Sequence, residues 1–199
     1  MCSPRLQNPW YVSVFLGPVF DSDLADGSFF DDKITYKQRN GIAGGLAVGY
    51  HFSDWFGTEM RVYTSSAGVH TTLPVLGNMK IGETESTVFD ISTTWYPFLS
   101  LFRISKWQPY LKGGVGVGQQ KIDLTFLGIP IHAVEQTIAT IPLGVGARYW
   151  CKERFAIQVD LTDNIVVWRE QTSKTQHHVA LSLGLTWAFG GGKKRQVSF

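Results

Sequence analysis

The sequence predicts an all-β fold: an eight-stranded, antiparallel, up-and-down transmembrane β-barrel. Three observations carry this. The 199 residues combine few charges (17%) with 21 glycines and 14% aromatics, a balance that departs from an ordinary soluble domain. No window holds 18 uncharged apolar residues, which excludes a spanning helix and leaves the closed barrel as the membrane option. The apolar residues recur at period two, the spacing of a strand with one greasy face.

Other classes fall away on composition. A hydrophobic share of 44% excludes intrinsic disorder. The net charge of +2 is too small to point to a nucleic-acid partner. Two cysteines make neither a disulfide scaffold nor a four-ligand zinc site.

Eight segments alternate, and each is justified by its two faces. The first, 9–19, opens on Trp10. The second, 40–52, carries Gly45 and Gly49 on its small face and closes on Tyr50 and Phe52. The third, 56–66, opens on Phe56 and turns Gly57, Glu59 and Arg61 inward. The fourth, 84–97, turns Asp90 inward and closes on Trp95. The fifth, 107–122, opens on Trp107 and places Lys112, Gly114, Gly116 and Gly118 inside. The sixth, 135–150, places Gly144, Gly146 and Arg148 inside and closes on Tyr149. The seventh, 155–167, opens on Phe155 and turns Asp160 inward. In the eighth, 179–189, Val179, Leu181, Leu183, Leu185, Trp187 and Phe189 alternate with Ala180, Ser182, Gly184, Thr186 and Ala188.

The connections alternate in length. Ser53-Asp54-Trp55 and Cys151-Lys152-Glu153-Arg154 are tight turns, with a longer link from Phe98 to Lys106 on the same side. Long polar loops are expected at 20–39, 67–83, 123–134 and 168–176. Such asymmetry fits periplasmic turns and extracellular loops. Gly45…Tyr50…Phe56 and Gly144…Tyr149…Phe155 share a spacing, which reflects common hairpin physics.

A soluble eight-stranded barrel would turn its apolar face inward. Here the small face holds the strand glycines, which suits a crowded lumen. The terminal aromatics Trp10, Tyr50, Phe52, Phe56, Trp95, Trp107, Tyr149, Phe155, Trp187 and Phe189 gather at the turn end, as in an interfacial girdle. Inside, Glu59, Asp90 and Asp160 face Arg61, Lys112 and Arg148, and charges so buried must pair directly or through water. Two readings stay open for them: a filled, charge-neutral lumen, or a gated ion path whose pairs exchange partners.

Ser182-Leu183-Gly184-Leu185-Thr186-Trp187-Ala188-Phe189 resembles the C-terminal assembly signal of outer-membrane proteins, with Ser182, Gly184, Trp187 and Phe189 at its defining positions. Tyr96-Pro97-Phe98 and the run from Trp107 to Gly118 resemble the middle hairpin of small OmpA-like and OmpW-like barrels. The resemblance covers residues 9 to 189. It implies the Gram-negative outer membrane with both termini periplasmic. Its implied partners are outer-membrane lipid and lipopolysaccharide, the barrel-assembly machinery and an envelope protein. It does not fix one activity, since this fold hosts structural proteins, adhesins, solute conduits and lipid A enzymes. Residues 1–8 are read as a periplasmic N-terminal segment and 190–199 as a basic periplasmic tail, beyond the last aromatic, where family members commonly end. No peptidoglycan-binding domain follows, so the anchoring role of larger relatives is not carried over. Met1-Cys2-Ser3-Pro4-Arg5 lacks a signal-peptide pattern, as expected of a mature or trimmed chain, and Cys2 reads as a plain cysteine, lacking a lipobox.

Neither catalysis, a cofactor nor a metal is expected. His51-Phe52-Ser53 superficially resembles the His-x-Ser of lipid A deacylases, but Asp54-Trp55 follow in place of that family's Asn and Gly. His70 and His132 fall in loops and His177-His178 open a strand, with no spacing that shows a partner. Asp21, Asp23, Asp26, Asp31 and Asp32 could ligate calcium but lack EF-hand spacing and read as a solvated acidic loop. Lys193-Lys194-Arg195 reads equally as a headgroup contact or a solvated tail. Three functions are therefore carried forward: a non-enzymatic barrel working through its loops, an OmpW-like conduit for small or apolar solutes, and a lipid A-modifying enzyme.

Overall fold

Nine strands succeed one another along the chain: β1 (Trp10–Val19), β2 (Ser22–Phe29), β3 (Asp32–His51), β4 (Phe56–Leu73), β5 (Gly77–Trp95), β6 (Trp107–Phe126), β7 (Ile129–Trp150), β8 (Phe155–Arg169) and β9 (Gln176–Phe189). They come from a computed structural model that describes residues 9–20, 22–29, 32–73, 77–97, 106–126, 129–169 and 175–190. Each strand pairs antiparallel with its sequence neighbour from β2 to β9, and β1 pairs with both β3 and β9. β1 lies along one half of β3, from Trp10↔Tyr50 to Val19↔Gly41, and β2 continues along the other half, from Ser22↔Gln38 to Phe29↔Asp32. β1 and β2 are thus two lengths of one stave, and the barrel has eight staves, closed by Trp10↔Phe189.

Following the pairings once around from Trp10 leads through Tyr50, Thr58, Thr93, Gly113, Leu143, Asp163 and Val179. Val179 accepts a hydrogen bond from the Phe20 amide, so the circuit returns ten residues higher on the first stave (20 − 10). That stagger goes with a strand tilt of about 40° and an interior that side chains fill.

The faces divide as the alternation predicts. Along β1, Trp10, Val12, Val14 and Leu16 are exposed, while Tyr11, Ser13 and Val19 are buried. Phe20, ten residues on from Trp10, faces outward as well. At about 3.3 Å of rise per residue and about 40° of tilt, the ten-residue step from Trp10 to Phe20 covers about 25 Å, the height of an outer-membrane apolar band.

The connections opposite the turns differ from expectation. The stretches 20–39, 67–83 and 123–134, read as loops, are mostly strand: β3 begins at Asp32, β4 runs to Leu73, β5 begins at Gly77, and β6 and β7 reach Phe126 and Ile129. Beyond the apolar band a strand needs no greasy face, so the periodicity fades while the backbone ladder continues. Register shifts fall in these outer parts or at their edge, at Asp23/Ala25, Gln38/Gly41, Val69/His70 and Leu124/Thr125, and a further one, at Ala139/Thr140, lies within an expected strand. At the turn end β3 and β5 stop earlier than expected, which puts Phe52 in the turn and Tyr96 just past the strand. Gly190 leaves the barrel at φ +85°, in the left-handed region that glycine tolerates best.

Because β1 pairs with both β3 and β9, the ladder closes around the barrel, and the folded chain should resist dodecyl sulfate until heated. Unboiled and boiled samples are expected to migrate differently, with a β-type circular dichroism spectrum before boiling. Identical migration would contradict the closed barrel.

Candidate functional site in the barrel lumen

Parity decides which side chains enter the lumen, and it brings the six expected charges there. All six are at most 6% exposed, and they form three pairs. The Arg61 guanidinium meets Asp90 in a two-point contact, Nε to Oδ1 at 3.0 Å and Nη2 to Oδ2 at 2.8 Å. Lys112 Nζ lies 3.2 Å from Asp160 Oδ1, and Arg148 Nη2 lies 2.9 Å from Glu59 Oε2. Ser92 Oγ donates to Asp90, and Tyr110 OH and Gln158 Nε2 donate to Asp160, so the carboxylates have partners beyond their cations.

Arg148 is the hub of the turn-side half. Its guanidinium donates to Gln158 Oε1 at 2.8 Å and to Tyr96 OH at 3.2 Å. It lies 4.1 Å from the centre of the Tyr11 ring and 5.0 Å from that of Tyr110, within cation–π reach of both. Tyr11 OH donates to the same Glu59 oxygen that Arg148 holds. His51 packs at 4.9 Å from Tyr11 and 5.4 Å from Tyr96. Thr186 Oγ1 donates to Gln158 and shares a hydrogen bond with Ser13. One buried cation thereby ties together side chains from every stave.

These bulky inward aromatics were not expected, because the lumen face reads as small or polar. Two glycines make room for them: a Cβ on Gly49 would lie 2.0 Å from the Tyr11 ring, and one on Gly146 would lie 2.6 Å from the Tyr110 ring. The signal was present, since Tyr11 shares parity with Ser13 and Tyr110 with Lys112.

On the hairpin side of the Arg61–Asp90 pair the lumen changes character. Tyr63, Val88, Ile138 and Val166 form an apolar cluster against Phe15, and small residues line the neighbouring wall, among them Gly17, Ala43, Ala180 and Ser182. Between them lies a cavity of about 40 Å³.

Outside, Trp10, Phe52, Phe56, Trp95, Trp107, Phe155, Trp187 and Phe189 are exposed at the turn end. Trp10 packs on Tyr50, Trp107 on Tyr149, and Phe155 stacks on Trp187 with the rings 7° from parallel. Trp55, exposed in a turn, stands at the same end without having been anticipated. In the final strand Gly184 faces Phe15 across the ladder to β1, and a Cβ there would lie 2.8 Å from the Val14 carbonyl. Ser182 lines the cavity.

The histidines fall differently from their sequence reading. His70 and His132 belong to β4 and β7, not to loops. His177 Nδ1 lies 2.7 Å from Asp163 Oδ2 on the outer wall, a diagonal cross-strand contact that spacing along one strand does not reveal. His178 lines the cavity. Cys2, Asp21, Asp31 and the Lys193-Lys194-Arg195 tail lie outside the described residues, as do the side chains of Asp23, Asp26 and Asp32. Among the described residues no three His, Cys, Asp or Glu side chains converge as a metal site would require.

A family model, outer membrane protein beta-barrel domain, matches residues 6–189. Among solved structures, the chain is similar to Neisserial surface protein A, with a TM-score of 0.60 and 13% identity over 90% of this chain and 97% of that one. It is similar to the outer membrane protein OprG of Pseudomonas aeruginosa, with a TM-score of 0.60 and 15% identity over 92% and 97%. The protease OmpT of Escherichia coli matches at a TM-score of 0.52 and 9% identity over 92% and 97%. No curated protein sequence matches.

Replacing Arg148 with Met strands Glu59 in a dry lumen, which should cost about 3–5 kcal/mol of stability. Adding Glu59→Gln should recover part of that loss. The exposed Lys121–Asp123 pair offers the contrast: Lys121→Ala should change stability by less than about 1 kcal/mol. Urea unfolding of the four proteins in lipid vesicles checks the order.

Proposed function

The chain belongs to the outer membrane protein beta-barrel domain family, and on that footing we propose a non-enzymatic barrel that is sealed across its turn-side lumen and works at the cell surface through its hairpins. The bacterial outer membrane is its home. The observation that carries the seal is the Arg148 hub: Arg148, Glu59, Tyr11, Tyr96 and Tyr110 are each no more than 2% exposed and cross the lumen from five staves. An interior of eight staves is only wide enough for such side chains. In this reading the turn end faces the periplasm, supported by the short connections there and the long hairpins opposite.

Histidine placement supports a non-catalytic reading, although OmpT, a protease, shares the architecture. His51 is buried between two tyrosine rings. His177 pairs with Asp163 on the exposed outer wall, and such a pair acts as a base only beside a nucleophile or a positioned water. Against a lateral conduit stands the seam between β1 and β9. Its ladder skips Gly17 and Pro18, yet a Cβ on Gly17 would lie 1.9 Å from the Leu181 carbonyl, so the backbones remain in contact there.

In planar bilayers the protein should show no large, steady conductance. A stable wide channel would reject the seal, and saturable transfer of an apolar solute into protein-bearing vesicles would favour the conduit.

Assembly gives an independent test. The family match ends on Phe189, the last residue of the final strand. Trp187→Asp with Phe189→Asp would place two charges among interfacial aromatics and should lower the folded outer-membrane fraction strongly. Deleting 190–199 should leave it nearly unchanged. The reverse pattern would move the assembly signal to Phe199.

A further inference from the structure

The turn end of the barrel carries a charge imbalance that no lumen pair absorbs. Outside the strands at that end, residues 1–9, 52–55, 96–106, 151–154 and 190–199 hold eight Lys and Arg against two acids, Asp54 and Glu153. That is +6 (8 − 2), whereas the whole chain nets +2, so everything else nets −4 (2 − 6). Three of these cations lie among the described residues, Lys106, Lys152 and Arg154, and all three are exposed. None forms an ion pair with a described residue. Backbone bonds set them along one border. The Trp150 amide donates to the Lys106 carbonyl and the Ala188 amide to that of Arg154, each at 2.9 Å, so the ends of β6, β7, β8 and β9 are stitched together there. Lys106 directly precedes Trp107 and Arg154 directly precedes Phe155, both exposed girdle aromatics. The cations therefore stand one residue beyond the aromatic level, at the depth where headgroup phosphates begin. The turn between β3 and β4 differs: Ser53-Asp54-Trp55 carries an aromatic and an acid but no cation. The described positive charge is confined to one sector.

We propose that Lys106, Lys152 and Arg154 form a docking surface for anionic phospholipid: the cations meet headgroup phosphates that no ammonium group balances, and the acyl chains lie against Trp107, Tyr149, Phe155 and Trp187. Arg154 offers a phosphate two parallel donors, and the lysines add mobile point charges. A zwitterionic headgroup carries its own cation beside the phosphate and gains less from this border. Free phosphate has the charge but no chain to set against the paired rings of Trp107 with Tyr149 and Phe155 with Trp187. Because the cations are exposed, salt weakens the attraction, while the contact with the aromatics persists. Assigning the lipid to the periplasmic leaflet rests on the preceding reading of the turn end; the docking itself does not.

The test is native mass spectrometry of the full chain released from nanodiscs of equal phosphatidylglycerol and phosphatidylcholine with matched acyl chains. Phosphatidylglycerol should be retained over phosphatidylcholine by about fivefold or more. Combining Lys106→Gln, Lys152→Gln and Arg154→Gln should bring the two lipids close to equal retention, whereas Lys121→Gln, at the exposed hairpin end, should leave the preference unchanged. Heat-modifiable mobility shows that each variant is folded. Equal retention by the wild type would overturn the docking surface. So would a preference that survives the triple variant, or one that inorganic phosphate abolishes at constant ionic strength. Cys151, exposed in the same turn, reports orientation separately on a Cys2→Ser background. Its labelling in intact cells by a maleimide too large to cross the outer membrane would overturn the periplasmic reading and leave the lipid preference standing.

Discussion

A guanidinium with no access to water governs the turn-side half of this molecule. Moving such an ion out of water costs several kcal/mol even after the surroundings relax, and only matched partners offset that cost. The chain supplies a carboxylate from β4, a side-chain carbonyl from β8, a phenol from the end of β5 and two aromatic faces from β1 and β6 around Arg148. Each partner constrains others. Tyr11 can lie flat only over a residue without a side chain, and Tyr110 requires the same of Gly146. The glycines of the lumen face are therefore part of an ion's coordination shell, one step removed.

The two halves of the lumen solve different packing problems. Near the turns, large side chains with polar tips fill the cross-section and satisfy one another. Near the hairpins, Gly17, Ala43 and Ala180 are too small to meet the aromatic and aliphatic groups opposite, and a cavity results. The Arg61–Asp90 pair divides these regions. Outside, none of this is visible: the wall presents one continuous apolar band.

Much of this was legible from parity alone. Period-two alternation requires only that one face meet lipid, and that requirement holds for each stave within the bilayer, so Glu59, Arg61, Asp90, Lys112, Arg148 and Asp160 could be assigned inward. Which acid meets which base was not legible. Arg148 and Glu59 are 89 residues apart, and their encounter depends on the tilt and stagger of the whole barrel. Strand lengths were underestimated for a related reason: Glu83 and Asp123, read as loop residues, sit in strands beyond the apolar band, where no hydrophobic rhythm marks the ladder. The His177–Asp163 contact joins neighbouring strands, and a single strand's sequence does not reveal such neighbours.

The seam that closes the cylinder carries a kinetic burden. Every other junction joins staves consecutive along the chain, whereas Trp10 meets Phe189 across 179 residues (189 − 10). Local pairings repay the entropy of their short loops at once; this one repays nothing until the full circuit exists. Closure is therefore the late, committing event, and it converts a curled sheet with two open margins into a closed cylinder. A chain lacking its final strand is thus not a slightly weaker barrel. It is a template with two unpaired rims, each free to recruit another copy.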